Sequence, residues 1–182
     1  MIPRICLTAS AHLIYQEKIL LIKHKKLNKW LSPGGHIDEN ELPHLAAERE
    51  FLEETGLKVK VYSAYEKLSN FSNDQDSFHP LPFAINEHWI CKENYERRLS
   101  AQKNEKNFTP YNLWPKGCEK HLNFCYLVKL IGPLKIQPRE GESREISWFS
   151  LVDLKEKYKK EMLKDVFKES IKAFELAKLN HS

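Results

Sequence analysis

Three glutamates crowd the end of one predicted helix, and this placement constrains the chain more than any other feature. The pattern of residues 43–55 predicts the helix, and Glu50, Glu53 and Glu54 occupy its last turns. Carboxylates are unfavourable there, because the C-terminal end of a helix carries partial negative charge. Glu50 and Glu54 also repel each other as an i,i+4 pair. The arrangement therefore calls for a positively charged partner.

The helical spacing places the three carboxylates on one side of this helix. At 100° per residue they share a face about 100° wide. Small residues precede them on the same face: Pro43, Ala46 and Ala47. The bulky apolar residues on the other side are expected to face the core: Leu45, Phe51 and Leu52. Pro43 suits the first helical position, and Gly56 suits a left-handed stop after the last turn.

A hard divalent cation would reverse the repulsion, because it attracts each carboxylate and the carbonyl groups at the helix end. Oxygen ligands favour Mg²⁺ or Mn²⁺ over Zn²⁺. The Pro33-Gly34-Gly35 turn can bring bare backbone close to the helix, so the Gly34 carbonyl could serve as one more ligand. Two alternatives stay open at this point, a solvated acidic face and neutralisation of the glutamates by Arg49.

The stretch from Gly35 to Leu57 resembles the Nudix box, the signature of the Nudix hydrolase family. Its spacing is G-x5-E-x7-R-E-U-x-E-E-x-G-U, where U is a bulky apolar residue. All the constrained positions match: Gly35, Glu41, Arg49, Glu50, Phe51, Glu53, Glu54, Gly56 and Leu57. Weaker resemblance extends to WLSPGGHID before the box and to EISWFSLVDL near the end of the chain.

This resemblance implies an α/β fold, an α/β/α sandwich around a mixed sheet. It implies an enzyme, a pyrophosphohydrolase that cleaves a nucleoside diphosphate linked to another moiety, X, with Mg²⁺ or Mn²⁺ as cofactor. A nucleotide-type small molecule is the expected substrate. Two alternatives are a catalytically silent nucleotide-binding module of the same fold and a pyrophosphohydrolase acting on RNA 5′ ends.

The resemblance also assigns roles to individual residues. The expected metal ligands are Glu50, Glu53, Glu54 and the Gly34 carbonyl. The expected catalytic residues are these three glutamates and Arg49. Arg49 is further expected to pair with Glu41 and hold the glycine loop to the helix, while Gly35 and Gly56 complete the structural part of the box. Glu50 is the favoured general base within the box, although the family also takes a base from a later loop.

That later loop is visible in QPREGESREISWF, residues 137–149. We favour Glu142 as a further metal ligand or base, with Glu140 as the second choice. Glu145 directly precedes a predicted strand and is expected to lie at its edge. For each of these three residues, a solvated loop glutamate is the alternative.

The rest of the chain predicts a single domain over residues 1–182, with the element order β-β-α-β-insert-β-β-α. The predicted strands are 4–15, 18–24, 58–69, 121–131 and 145–151, and one long helical pattern covers 151–179. The insert at about 70–121 is expected to hold little regular structure beyond a short helix at 93–104. Its aromatic rings could stack on a nucleobase or form a small core of their own: Phe78, Phe83, Trp89, Phe108, Tyr111 and Trp114.

The composition restricts the classes of partner that the chain is expected to bind. A net charge of +4 suits anionic ligands but argues against an extended nucleic-acid surface. The four cysteines show no CxxC spacing, so neither a zinc knuckle nor a redox motif is predicted: Cys6, Cys91, Cys118 and Cys125. No apolar run reaches the roughly 18 residues of a membrane span. We therefore expect no membrane partner and a cytoplasmic location, and the resemblance leaves a homodimer open.

Overall fold

The structure, a computed structural model, describes residues 2–63, 75–142 and 145–179 of the chain. These residues form a mixed sheet with helices on both faces. The strands are β1 (Ile5–Tyr15), β2 (Lys18–His24), β3 (Lys29–Leu31), β4 (Gly34–His36), β5 (Val59–Tyr62), β6 (Ala84–Trp89), β7 (Lys120–Leu130) and β8 (Ile146–Phe149). The helices are α1 (Pro43–Thr55), α2 (Lys92–Lys103), α3 (Leu151–Glu161) and α4 (Lys164–Leu179). Within these described ranges, no helix combines the length and the apolar character that crossing a membrane requires.

Strands β1 and β7 form the centre of the sheet and run parallel. β2 returns from β1 through a tight turn at Gln16–Glu17, where both residues have positive φ, as two-residue hairpin turns require. β4 pairs with the earlier part of β1, along Thr8–Ser10, and β2 pairs with its end. β5 and β6 both pair antiparallel with β7. The predicted α/β class and the mixed sheet are confirmed.

Alternation along β1 separates an apolar face from a polar one, because successive strand residues point to opposite sides. The apolar residues pack against α1 in the main core: Ala9, Ala11 and Leu13. The polar residues point to the other face and are buried as well: Thr8, Ser10 and His12. Helix α4 covers part of that face through Ala173 and Leu176, which pack with Leu127 of β7.

The prediction for the insert at 70–121 was wrong in one respect. Residues 84–89 form β6, which pairs along its whole length with β7, and Lys92–Lys103 form α2. The strand escaped notice because three of its six residues are Asn86, Glu87 and His88, which lack the apolar signal of a strand. Its partner β7 supplies the pairing. Residues 64–74, which include the end of the strand predicted at 58–69, lie outside the described ranges.

The single long helix predicted at 151–179 was also wrong, because the chain breaks between α3 and α4. Met162 takes an extended conformation, with φ −135° and ψ 150°. It forms a parallel bridge with Trp30 of β3 and is buried in the second core cluster. Burial of Met162 against the sheet therefore overrides the helical pattern on either side of it.

The packing of α1 differs from the predicted side. Phe51 is fully buried, but Leu45 and Leu52 are 41% and 40% exposed. Ala46 and Ala47 are fully buried in their place. Their small side chains let the helix backbone approach the sheet closely, so the face that precedes the acids is the one that packs.

Candidate active site

The end of α1 is built to receive the later loop. Gly56 ends the helix with φ 76°, and its N–H donates to the carbonyl of Leu52 over 2.7 Å. A Cβ at Gly56 would lie 2.6 Å from the backbone carbon of Gln137, so a larger residue would displace the loop. Two loop N–H groups then donate to helix carbonyls, Gln137 to Thr55 over 2.9 Å and Arg139 to Glu53 over 2.8 Å. These bonds bring the 137–142 segment alongside the acidic face.

The two glycines of β4 allow an equally close approach from the other side. A Cβ at Gly35 would lie 2.5 Å from the carboxylate carbon of Glu50, and one at Gly34 would lie 2.7 Å from the Cα of Ser10. The N–H of Gly34 donates to Oε2 of Glu54 over 2.8 Å. Side chains at either position would push the strand away from the helix.

The register of β4 also leaves the backbone of Gly34 available. Ala11 donates to the carbonyl of Pro33, and Ile37 donates to the carbonyl of Leu7. Gly34 faces Ser10 between these pairs, at a position where an antiparallel ladder exchanges no hydrogen bonds. Its N–H and C=O therefore both point away from β1 and towards α1.

Arg49 connects three parts of the site. Its guanidinium donates two 2.8 Å hydrogen bonds to the carboxylate of Glu41, one of 2.9 Å to the carbonyl of His36 and one of 2.7 Å to Oε1 of Glu50. The hydrogen bonds from Arg49 lower the pKa of Glu41, and those to Glu41 are the main cause that raises the pKa of Arg49. The predicted contact between Arg49 and Glu41 is present, and it fixes the glycine strand to the helix.

Glu50 and Glu54 form the inner, partly buried part of the acidic cluster. The pKa of Glu54 is raised to about 8, chiefly by burial and also by the negative charges of Glu50, Glu142 and Glu53, while the hydrogen bond from Gly34 lowers it. Burial also raises the pKa of Glu50, with Arg49 opposing the effect and Glu53 and Glu142 adding to it. Glu142 lies on the loop that α1 holds, and its negative charge acts on the pKa of both groups.

These donors fit a hard cation. The Gly34 amide donates to one carboxylate oxygen of Glu54, and Arg49 donates to one carboxylate oxygen of Glu50. Within the described ranges, the second oxygen of each carboxylate receives no hydrogen bond from the protein. Repulsion between the carboxylates is the unfavourable interaction that a divalent ion would relieve. The atoms available to bind the ion are oxygens, which Mg²⁺ and Mn²⁺ prefer as ligands.

The remaining predicted acids have other partners or surroundings. Glu53 is partly exposed, and Arg139 donates to its carboxylate over 2.8 Å. Glu145 pairs with Lys23 over 3.1 Å beside β2, which matches its expected place at a strand edge. Glu140 lines an outer groove together with Leu52 and Arg139. Of the three loop acids, Glu142 is the one whose negative charge raises the pKa of both Glu50 and Glu54.

A cavity of about 500 Å³ opens next to the glycine strand. Two of the aromatic rings singled out in the sequence line it, Trp89 and Trp114. Phe83 instead packs edge-on against His12, and Phe108 lies under Arg4. Phe78 and Tyr111 lie at the surface. Of the six rings, only Trp89 and Trp114 therefore line the cavity and are candidates for stacking on a nucleobase.

The floor of the cavity is polar and was missed in the sequence. It comes from the polar faces of β1, β6 and β7: Thr8, Ser10, Asn86, His88, His121 and Asn123. Asn123 donates to Ser10 over 2.9 Å and accepts from Thr8 over 3.2 Å. The signal was present, since Asn123 interrupts the apolar strand HLNFCYLV, but its partners on β1 lie more than a hundred residues away in the chain.

Comparison with known proteins agrees with this geometry. A family model, NUDIX domain, matches residues 7–170. A bovine (Bos taurus) diphosphoinositol polyphosphate phosphohydrolase 3-beta is 35% identical over 130 residues, which cover 70% of this chain and 76% of the relative. A probable DHNTP pyrophosphohydrolase from Lactococcus lactis is 28% identical over 154 residues, which cover 85% and 68% of the two chains.

Solved structures match over nearly the whole chain. A NUDIX family hydrolase from Clostridium perfringens superposes with a TM-score of 0.68 at 24% identity, covering 94% of this chain and 97% of that one. A NUDIX hydrolase from Nitrosomonas europaea gives a TM-score of 0.62 at 17% identity, covering 96% and 91%. At these identities the likeness concerns the fold alone.

Proposed function

The chain belongs to the Nudix hydrolase family, and we propose that it uses Mg²⁺ or Mn²⁺ to cleave the diphosphate linkage of a nucleoside diphosphate bound to another moiety. One observation carries this proposal. Glu50 and Glu54 lie together beside the Gly34 backbone, each with a carboxylate oxygen that no described protein group satisfies, next to a cavity of nucleoside size.

We assign the metal to the carboxylates of Glu50, Glu54 and Glu142 and to the Gly34 carbonyl. When bound there, a divalent ion neutralises the diphosphate charge and lowers the pKa of a coordinated water. Glu53 is a weaker candidate for direct contact, because Arg139 already pairs with its carboxylate. It would act on the ion through a water molecule or through its charge.

The proposed general base is Glu50. Its Oε1 is held by Arg49, which leaves Oε2 to take the proton of the attacking water. The same guanidinium binds Glu41 and the His36 carbonyl, so Arg49 fixes the direction in which Glu50 faces. Glu142, supplied by the later loop, is the alternative base.

The cavity is the proposed site for the nucleoside part of the substrate. Its volume lies within the range of small-molecule sites, about 300–1,000 Å³. Trp89 and Trp114 offer flat apolar surfaces for stacking. The names of the two relatives indicate different substrates, diphosphoinositol polyphosphates and DHNTP, so similarity alone does not select X.

A substrate panel tests the proposal. It should contain oxidised and normal nucleoside triphosphates, nucleotide sugars, ADP-ribose, dinucleoside polyphosphates, diphosphoinositol polyphosphates and 5′-triphosphate RNA, each with Mg²⁺ or Mn²⁺. We expect turnover of a nucleotide-type substrate by the wild-type chain and almost none by the Glu54→Gln variant. Tight nucleotide binding without turnover would instead indicate a binding module, and preference for RNA would shift the proposal to RNA 5′ ends.

A further inference from the structure

A second group of metal-binding side chains lies outside the acidic cluster, where β1, β4 and the start of β7 meet. The Sγ atoms of Cys6 and Cys118 are 2.7 Å apart, and Nε2 of His36 lies 3.2 Å from the sulfur of Cys118. The three ligand atoms all lie within 4.8 Å of one another. They come from separate parts of the chain, so the fold brings them together.

His121 lies next to this group of three, on the same face of the sheet. It is the register partner of Cys6 in the parallel β1–β7 ladder, and its ring centroid lies 5.0 Å from that of His36. Its Nε2 is buried, and within the described ranges it has no hydrogen-bond partner. A buried polar atom without a partner is destabilising, so a ligand for Nε2 would remove a cost.

The chemistry of this set differs from that of the carboxylate site. Thiolate sulfur and imidazole nitrogen favour Zn²⁺, and two cysteines with two histidines are a common structural zinc set. Zn²⁺ holds sulfur at about 2.3 Å, which separates two tetrahedral sulfurs by about 3.8 Å. The two sulfurs would therefore have to move apart by about 1 Å around an ion, which cysteine side chains can do by small rotations.

We propose that Cys6, His36, Cys118 and His121 form a structural zinc site, separate from the Mg²⁺ or Mn²⁺ site of the box. The site would fasten the starts of β1 and β7 to β4. Its position links it to the active site, because the carbonyl of the ligand His36 accepts a hydrogen bond from Arg49. The ion would thus hold in place the glycine strand on which Glu50 and Glu54 pack.

Cobalt substitution tests this proposal with a readout other than activity. The metal-free chain is titrated with Co²⁺ alone under reducing conditions, and the absorption of thiolate-bound, tetrahedral Co²⁺ is recorded. We expect the thiolate charge-transfer band in the wild type, its loss in Cys6→Ser and Cys118→Ser, and weaker visible bands in His121→Ala. Zinc analysis of the untagged chain should show stoichiometric Zn²⁺ that the cysteine variants lack.

Two control variants separate the alternatives. Cys91→Ser should keep the band, because Cys91 caps α2 and serine caps helices well. Glu54→Gln should keep it too, because the carboxylate site contributes no thiolate band. The cobalt measurement therefore tests the zinc site whether or not the proposed hydrolase activity is found.

A measurement on the wild-type chain avoids the problem that a variant could fail to fold. Zn²⁺ should protect Cys6 and Cys118 of the wild-type chain from alkylation, as read by mass spectrometry, more than it protects Cys91. Equal protection of all three, or a Co²⁺ complex without the thiolate band, would overturn the zinc site. Isolation of the chain with a Cys6–Cys118 disulfide and no zinc would overturn it in favour of a redox pair.

Discussion

The backbone N–H of Gly34 donates a 2.8 Å hydrogen bond to Oε2 of Glu54. This bond joins the glycine strand to the acidic end of α1. It also orients a partly buried carboxylate whose other oxygen has no protein hydrogen-bond donor within the described ranges. Because a charged group buried among like charges is unfavourable, the arrangement gains stability only when a proton or a cation occupies the cluster.

Replacing Gly35 with alanine tests the close approach of the glycine strand to the Glu50 carboxylate. The added Cβ would lie 2.5 Å from the Glu50 carboxylate, which Arg49 holds in place. We expect Gly35→Ala to lower kcat by about 100-fold, the order of loss from an ångström-scale misplacement of a catalytic group. Gly132→Ala is the matched control, since its Cβ would meet Lys58 at an ordinary 3.4 Å. Equal rates for both variants would contradict the role of this contact.

The two box acids should differ in their effects. Glu54→Gln should lower kcat by roughly two to four orders of magnitude, because it removes a group that holds the ion or activates water. Glu53→Gln should cost less, because Arg139 already binds this carboxylate at the edge of the cluster. Steady-state rates at saturating Mg²⁺ measure both. A larger loss for Glu53→Gln than for Glu54→Gln would show that the cluster is wrongly assigned.

The raised pKa of Glu54 predicts that the stability of the metal-free chain depends on pH. The folded chain keeps a proton on Glu54 up to its raised pKa of about 8, whereas the unfolded chain releases it near 4.5. The unfolded state therefore binds fewer protons between these values, and the free energy of unfolding falls as the pH rises from about 4.5 to about 8. Below about 6.5, His12 acts in the opposite direction, because burial lowers its pKa to about 4.

The difference between wild type and Glu54→Gln isolates this contribution. We expect the variant to gain stability relative to the wild type as the pH rises, measured by urea unfolding with chelator at several pH values. Glu140→Gln, which changes an acid in the outer groove, is the matched control and should track the wild type. A pH-independent difference between wild type and Glu54→Gln would show that Glu54 titrates as an ordinary carboxyl.

Arg49 should affect stability as well as rate. Arg49→Ala leaves Glu41 without its two hydrogen bonds and frees the His36 carbonyl, so both Tm and kcat should fall. Arg49→Lys keeps the charge but cannot reproduce the paired hydrogen bonds, so it should recover little. Arg139→Ala removes an exposed ion pair and should leave Tm nearly unchanged. A normal Tm for Arg49→Ala would contradict the structural role.

The cavity rings should act on substrate binding. Trp89→Ala or Trp114→Ala should raise KM about tenfold with a smaller change in kcat, the pattern of lost uniform binding, since a stacked base contributes roughly 1–3 kcal/mol. Tyr111→Ala is the control, because Tyr111 lies beside Arg97 outside the cavity lining. Normal kinetics with a lower Tm in both tryptophan variants would mean that these rings serve only as a small core.

Local signals allowed much of the site to be predicted. The bounds of α1, the stop at Gly56 and the contact between Arg49 and Glu41 all lie within 23 residues. Spacing alone specifies them, because helix geometry fixes which side chains share a face. Glu142 could be named as a candidate, but the approach of its loop to α1 depends on the hydrogen bonds that hold the 137–139 backbone to the helix.

Features that depend on distant pairing could not be predicted. The polar β6 becomes a strand because β7 offers it a complete edge, and the break at Met162 follows from its bridge to Trp30. Leu45 and Leu52 are exposed because alanines, and not leucines, bring α1 onto the sheet. The cluster of Cys6, Cys118 and His36 lacks any local motif, since its ligands meet only when β1 and β7 align.

The most direct test of the central claim is the metal dependence of diphosphate cleavage. Turnover of the best substrate from the panel is measured in excess chelator, after return of Mg²⁺ or Mn²⁺, and in the Glu54→Gln variant under the same conditions. The proposed metal site at Glu50, Glu54 and Glu142 predicts no turnover in chelator, recovery with either ion and a rate in the variant lower by roughly two to four orders of magnitude. Full turnover in chelator, or wild-type turnover by Glu54→Gln, would contradict it.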